Sequence, residues 1–292
     1  MIQLEKNQID LDGVIFDYYK MGKGKPLFII PALHSDFSRF QLLLEYLSRY
    51  YTIYFPELPG VGMSTHLFDT QKYSAQNYAH YLNLMVSKLK LSDYTLIGFC
   101  LGAVIAIRML EKNNIPRPIA VILFEALYDG NYIHIDKKYS WIISLIMKLG
   151  PQNLLVRKFA GLALQNTKLL TLFYRFNYRH EKDLKKVIDH QIKLTKQMDT
   201  RAWLELTEDI FTLHLGRENL TFDLPTLLVF NIADNILDIE KTIAGVTKIF
   251  PRSQVVNIEL THHAPAGPID EKLVHELMTP ILPKMHALLS VE

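Results

Sequence analysis

A single cysteine in 292 residues, Cys100, excludes an intramolecular disulfide. A free thiol lasts longest in a reducing compartment, so a cytoplasmic protein is expected. No uninterrupted apolar stretch approaches the roughly 20 residues that a membrane-spanning helix requires, and no membrane span is expected. The first residues, Met1-Ile2-Gln3-Leu4-Glu5-Lys6-Asn7, carry charges where a secretory leader needs its apolar segment, so none is expected. Excess charge is also missing: 32 Lys and Arg against 30 Asp and Glu leave a formal +2, too little to predict nucleic-acid binding across the molecule. Internal repeats and low-complexity tracts are absent. What is present is 49% hydrophobic and 21% charged residues, enough apolar material for one substantial domain with an insertion.

Along the chain, Asp12-Gly13 separates two alternating runs, 2–9 and 14–19, which is a hairpin signal. After the turn-rich Gly22-Lys23-Gly24-Lys25-Pro26 comes Leu27-Phe28-Ile29-Ile30, fully apolar as central parallel strands are. Pro31-Ala32-Leu33-His34-Ser35-Asp36 reads as a loop, and 37–50 places Phe40, Leu43, Leu44 and Leu47 at helical spacing. Tyr51-Thr52-Ile53-Tyr54-Phe55 reads as a strand. It runs into Pro56-Glu57-Leu58-Pro59-Gly60-Val61-Gly62-Met63-Ser64, too dense in Pro and Gly for regular structure. An amphipathic helix over 73–89 follows, with strands at Tyr94-Thr95-Leu96-Ile97 and Ala120-Val121-Ile122-Leu123-Phe124. A hairpin followed by βαβαβαβ predicts an α/β architecture, a parallel sheet with helices on both faces.

Residues 129–222 break that alternation. Helical periodicity covers 141–149, 153–163, 168–176, 181–197 and 202–215, with no clear buried strand among them. The alternation resumes with Thr226-Leu227-Leu228-Val229-Phe230, a helix over 239–249, a strand over 254–258 and a terminal helix over 271–289. The expected division is a core of residues 1–128 and 223–292, with 129–222 a helical insertion on the C-terminal edge of the sheet.

Gly98-Phe99-Cys100-Leu101-Gly102 lies between a short apolar strand and the helical Ala103-Val104-Ile105-Ala106-Ile107-Arg108-Met109-Leu110. A strand, a G-x-C-x-G turn and a helix form a nucleophile elbow with cysteine where serine is usual. Glycines clear side chains from the strained turn, and Cys100 then projects at a helix N-terminus. Partial positive charge and free N–H groups there favour a thiolate and, later, an oxyanion. A lone core cysteine can instead be an inert small hydrophobe. The surroundings of Cys100 in the rest of the chain point to catalysis.

Four blocks carry a resemblance that covers almost the whole chain outside the insertion. They are Pro31-Ala32-Leu33, where His-Gly-x is usual; Glu57-Leu58-Pro59-Gly60-Val61-Gly62-Met63-Ser64, close to D-x-P-G-x-G-x-S; the Cys100 elbow; and the late loops Asn231-Ile232-Ala233-Asp234 and His262-His263-Ala264-Pro265. On these blocks the chain resembles capped α/β-hydrolase-fold proteins, in their order of nucleophile, acid and histidine. The resemblance implies an eight-stranded, mostly parallel sheet, a cap over 129–222, and a Cys100-His263-Asp234 triad. Cys100 would be the nucleophile, His263 the base and then the proton donor, and Asp234 the group that fixes the imidazole tautomer. Backbone N–H groups of Leu33 and Leu101 would form the oxyanion hole. No cofactor and no metal are implied. His262 competes with its neighbour, though the match to G-H-x-P favours His263. Asp238 and Glu125 compete with Asp234, since some family members take the acid from the strand after the elbow. His34 either touches substrate or is a solvated loop residue. Ala32 in place of glycine leaves the aim of the Leu33 N–H open.

The implied activity is acyl transfer, most simply hydrolysis of an ester or thioester through an acyl-cysteine. A thioester intermediate also accepts amines, thiols and carbanions, so an acyltransferase or a chain-releasing, carbon–carbon-forming (Dieckmann-type) cyclase is the alternative. A non-catalytic binder is a third. The expected partner is a small acyl substrate. Between 131 and 222, fifteen Lys and Arg face nine Asp and Glu, suited to a coenzyme A phosphate or an acidic acyl carrier protein, or simply to a solvated helix face. Trp141, Ile142, Leu145, Phe159, Leu172, Phe173, Phe176 and Trp203 are expected mostly to pack the insertion onto the core, some of them lining an acyl pocket.

Overall fold

The computed structural model describes residues 4–62, 65–112, 116–134, 150 and 153–290. The expected helix over 141–149, with Trp141, Ile142 and Leu145, lies outside them, as do Met63 and Ser64. Strands β1 (Leu4–Leu11) and β2 (Val14–Met21) form the hairpin, paired in register from Leu4 with Met21 to Leu11 with Val14. Asp12 and Gly13 turn it with φ of 51° and 87°, the two positive values that a tight two-residue hairpin loop demands.

Six further strands complete one sheet: β3 (Pro26–Ile30), β4 (Thr52–Pro56), β5 (Thr95–Phe99), β6 (Ala120–Phe124), β7 (Thr226–Asn231) and β8 (Ser253–Ile258). Their order is β1-β2-β4-β3-β5-β6-β7-β8, antiparallel from β1 to β4 and parallel from there on. The eight-stranded, mostly parallel sheet that the resemblance implies is therefore present.

The two-residue period of the strands sorts their side chains between two cores. Phe28, Ile30, Leu96, Val121, Leu123 and Phe230 face one side, against α2 (Ala75–Lys88), α3 (Leu101–Leu110) and α8 (Ile239–Ile249). Leu27, Ile29, Ile97, Ile122, Leu227 and Val229 face the other, against α1 (Phe37–Leu47) and α9 (Glu271–Ser290). Burial on both faces explains why these strands read as continuous apolar runs.

Between β6 and β7 stand α4 (Leu154–Gln165), α5 (Thr167–Asn177), α6 (Leu184–Gln197) and α7 (Thr200–Phe211). The last ends four residues before the expected 215, and a 3-10 turn, Leu215–Arg217, follows. Helix α7 is tied to the strands' side by two carboxylates: buried Glu205 accepts from the Tyr73 amide at 2.6 Å and half-buried Asp209 from the Ala75 amide at 2.8 Å. Trp203 packs against the core as expected. Phe159, Leu172 and Phe176 do not; they are 69–71% exposed, which corrects the expectation that they pack the insertion down, whereas Phe173, 57% exposed, lines a cavity. The inward stripe of α5 is instead Leu170 and Tyr174, one turn apart, against Ile188 and Ile192 of α6.

Candidate active site

Strand β5 ends at Phe99, and Cys100 turns the chain with φ 50° and ψ −107°, a conformation that costs a side-chain-bearing residue free energy. The turn is pinned on both sides. The Cys100 amide donates to the Phe124 carbonyl at 2.8 Å, and the Cys100 carbonyl accepts from Ala103 at 3.0 Å and Val104 at 3.3 Å to begin α3. A side chain at Gly98 would press on the Gly102 carbonyl. One at Gly102 would press on the carbonyl oxygens of Ile30 and Pro31. The glycines thus let α3 seat against the end of β3, which places Cys100 at the C-terminal end of the central strands, where open α/β sheets hold ligands.

The two late loops deliver the other groups. Asp234 follows β7, and its Oδ1 accepts from the amides of Ile236 (2.6 Å) and Leu237 (3.2 Å). Its Oδ2 meets His263 Nδ1 at 2.5 Å, and His263 Nε2 lies 3.3 Å from Cys100 Sγ. Burial raises the Asp234 carboxyl, but His263 and the two amides outweigh it and hold the net value below the ordinary range. Burial likewise opposes charge on His263, yet Cys100 and Asp234 hold it well above the ordinary imidazole value.

The competitors are elsewhere. His262 Nε2 meets Glu181, between α5 and α6, at 2.8 Å, with its ring edge-on to Tyr178. Asp238 caps α8 and binds Lys241. Glu125 does stay close: its carboxylate, that of Asp234 and His263 bring ligand-type atoms within 4.8 Å of one another. Such a trio could in principle hold a cation. Here Asp234 already spends one oxygen on two amides and the other on His263, an arrangement fitted to proton transfer.

Glu125 Oε1 accepts from the Asn231 amide at 2.5 Å, while Oε2 is buried without a partner among the described residues. Burial, with Asp234 adding to it, pushes Glu125 up to about 8. The folded chain therefore holds a proton that the unfolded chain releases near 4.5, and stability falls as pH rises between those values. Glu125→Gln retains the neutral form. Urea unfolding should show little difference from wild type near about pH 5 and a gain of ~3 kcal/mol near about pH 8. A difference that does not grow with pH would show that Glu125 ionises normally in the fold.

Positive φ in the β3–α1 loop falls on His34 (55°) and not on Ala32, so alanine in place of glycine strains nothing. Desolvation and then Arg39 push His34 down to about 4, leaving it neutral at pH 7. Leu33 lies beside Cys100 in the site, and Leu101 is the first residue of α3.

Two residues escaped the sequence reading. Arg39 of α1, buried, donates to the His34 carbonyl at 3.0 Å and the Pro265 carbonyl at 2.9 Å, bracing the Leu33 loop against the His263 loop. Its signal was a cation one helical turn before Leu43, on the apolar side of α1. Asn231, fully buried, receives the Leu260 and Ala233 amides on its Oδ1 and donates to the Leu260 and His262 carbonyls, stapling the two late loops together. A polar side chain closing an otherwise apolar strand was its signal.

Two cavities meet at His263, and Cys100 lines the smaller of them. One of about 140 Å³ runs between Phe40, Phe99, Phe124, Leu277 and Met278. The other, about 700 Å³, is walled by Leu164, Leu170, Phe173, Tyr174 and Trp203, from the helices between β6 and β7. Leu33, Arg39 and His263 border both.

The family model for the alpha/beta hydrolase fold matches residues 25–266. No curated protein matches the chain. Among solved structures, the N-acyl homoserine lactonase AidH complexed with N-butanoyl homoserine superposes with a TM-score of 0.73 at 16% identity, over 99% of this chain and 98% of its own. A thermophilic esterase from Thermogutta terrifontis gives 0.70 at 16% identity, over 97% and 99%. Epoxide hydrolase CorEH without ligand gives 0.68 at 14%, over 97% and 100%. Identities this low speak to the fold and not to a shared substrate. With its sheet order, its strained strand-to-helix turn and a family match over most of its length, the chain belongs to the alpha/beta hydrolase fold family.

Proposed function

We propose that this protein is an acyl-transfer enzyme, most simply a hydrolase of esters or thioesters that works through an acyl-cysteine at Cys100. The observation that carries this reading is the hydrogen-bonded line from Asp234 through His263 to Cys100, with Cys100 lining one cavity and His263 bordering two. Sγ of Cys100 attacks the substrate carbonyl carbon, and the C–O π electrons move onto oxygen. The N–H groups of Leu33 and Leu101 receive that oxyanion, each such donor being worth about 3 kcal/mol in a transition state. His263 holds the thiol proton and passes it to the departing alkoxide or thiolate as the tetrahedral intermediate collapses. Water then attacks the thioester, gives its proton to His263, and the acid leaves as Cys100 is restored. Asp234 keeps Nδ1 protonated throughout, so that Nε2 faces the reaction.

In this reading the helices between 129 and 222 act as a cap, and the cavity beneath them takes the longer arm of the substrate. The same thioester would serve an alcohol, amine or carbanion acceptor; the net basic insertion is what favours a carrier-protein- or coenzyme-A-bound acyl donor. Intact-mass analysis after incubation with a panel of acyl thioesters tests the reading. The expected result is an acyl adduct that maps to Cys100 and is missing in Cys100→Ala, with product analysis identifying the acceptor. Absence of any adduct, together with iodoacetamide reacting no faster than with free cysteine, would sink the nucleophile and leave a binding protein.

A further inference from the structure

We infer that the outward face of α4 and α5 is a docking surface for an anionic lipid bilayer. This goes beyond the reaction assigned to Cys100 and does not depend on it. Thirteen large hydrophobic side chains are exposed among the described residues, and eight of them fall between Leu154 and Phe176. Scattered exposed apolar residues need no explanation, but a contiguous apolar face does.

Seven of the eight follow helical geometry. Leu155, Phe159 and Leu162 recur at i, i+4 and i+7 along α4, and Leu169, Leu172, Phe173 and Phe176 at i, i+3, i+4 and i+7 along α5. Helix α4 buries no residue at all. Leu155, Phe159, Leu172 and Phe176 are 67–71% exposed, so each helix turns an apolar stripe to the outside.

Charge decides between possible occupants. From 153 to 180 the chain has five Lys and Arg and not one Asp or Glu. Lys158, Lys168, Arg175 and Arg179 are exposed, and the Arg179 guanidinium sits 5.5 Å from the centre of the Phe176 ring. An acidic protein partner would answer the cations but would have to cover eight large apolar side chains as well. A bilayer answers both at once: lipid phosphates meet the cations while the Leu and Phe side chains enter the acyl boundary. With 12 and 11 residues, α4 and α5 are far short of a span, and no helix among the described residues is long and apolar enough to cross a membrane. The helices therefore lie on the surface. Leu169 and Phe173 also wall the large cavity that reaches His263, so a chain drawn from the bilayer would pass them on its way to the site.

Flotation of the full chain with vesicles of phosphatidylcholine, or of an equimolar mixture with phosphatidylglycerol, tests this. Binding is expected to the anionic vesicles alone and to weaken with salt. It should fall about tenfold or more in Phe159→Ser/Leu172→Ser/Phe176→Ser and in Lys158→Glu/Lys168→Glu/Arg175→Glu. Both variants should keep the wild-type thermal midpoint and turnover of a soluble short-chain ester, while Cys100→Ala should bind vesicles like wild type. No binding to either vesicle, or unchanged binding in both triple variants, would overturn the inference. So would a concentration-dependent dimer lost in the apolar variant, which assigns the face to a second copy. Saturable binding of an acidic carrier protein without vesicle binding would assign it to a protein partner.

Discussion

His263→Ala is expected to cut the rate of Cys100 acylation roughly a thousandfold, while His262→Ala leaves most of it. The two histidines are adjacent in sequence and nearly opposite in surroundings. His263 Nε2 reaches Cys100 Sγ and its Nδ1 reaches Asp234, so removing it takes away both the proton acceptor and the cation beside the sulfur. It also leaves Asp234 partly buried with only two amides for partners. His262 instead pairs with Glu181, both side chains retaining 20–24% of their exposure, and such a half-solvated pair is worth about 1 kcal/mol or less. Its loss loosens a contact between the α5–α6 connection and the histidine loop without touching the reacting atoms. Rates of adduct formation with an activated thioester, followed by intact mass, separate the two variants. Rapid acylation in His263→Ala and none in His262→Ala would reverse the assignment.

Gly102→Ala should destabilise the fold by about 3 kcal/mol or more, in spite of a change that favours helix in isolation. Two effects oppose each other. Alanine has the better helix propensity, by about 1 kcal/mol over glycine in a helix interior. Against that, its Cβ would be driven onto the carbonyl oxygens of Ile30 and Pro31, which are backbone atoms of a central strand and the loop leaving it. Backbone held in a sheet cannot yield as a flexible side chain would, and overpacking commonly costs 1–3 kcal/mol, more where nothing can move. The clash wins. Either α3 lifts from β3 and carries Cys100 away from His263, or the variant unfolds at lower urea, read as a lower midpoint at unchanged slope. Wild-type stability together with wild-type acylation would show that the elbow does not need the close approach.

The hairpin, the alternation of strands and helices and the family were legible in the residues themselves, because each rests on local chemistry. Asp12-Gly13 suits a turn of two positive φ values, and Leu27-Phe28-Ile29-Ile30 is apolar because both its faces are covered. Gly98 and Gly102 flank Cys100 because a side chain at either would meet backbone. Three decisions belonged to the tertiary structure. Asp234 and Glu125 are 109 residues apart and were equal on type; only the placement of β6 and β7 puts Asp234 on Nδ1 and leaves Glu125 buried beside it. Arg39 and Asn231 gain their roles from carbonyls and amides supplied by remote loops, partners that no local pattern encodes. Finally, the amphipathic period of α4 and α5 gives the same reading whether an apolar stripe faces inward or outward. Packing of Leu170 and Tyr174 against α6 turned the other stripe outward. Sequence by itself determined which residues could form elements, a turn and a nucleophile, since those depend on neighbours in the chain. Which groups meet, and which apolar face is left uncovered, depended on distances across the fold, and only the folded chain sets those.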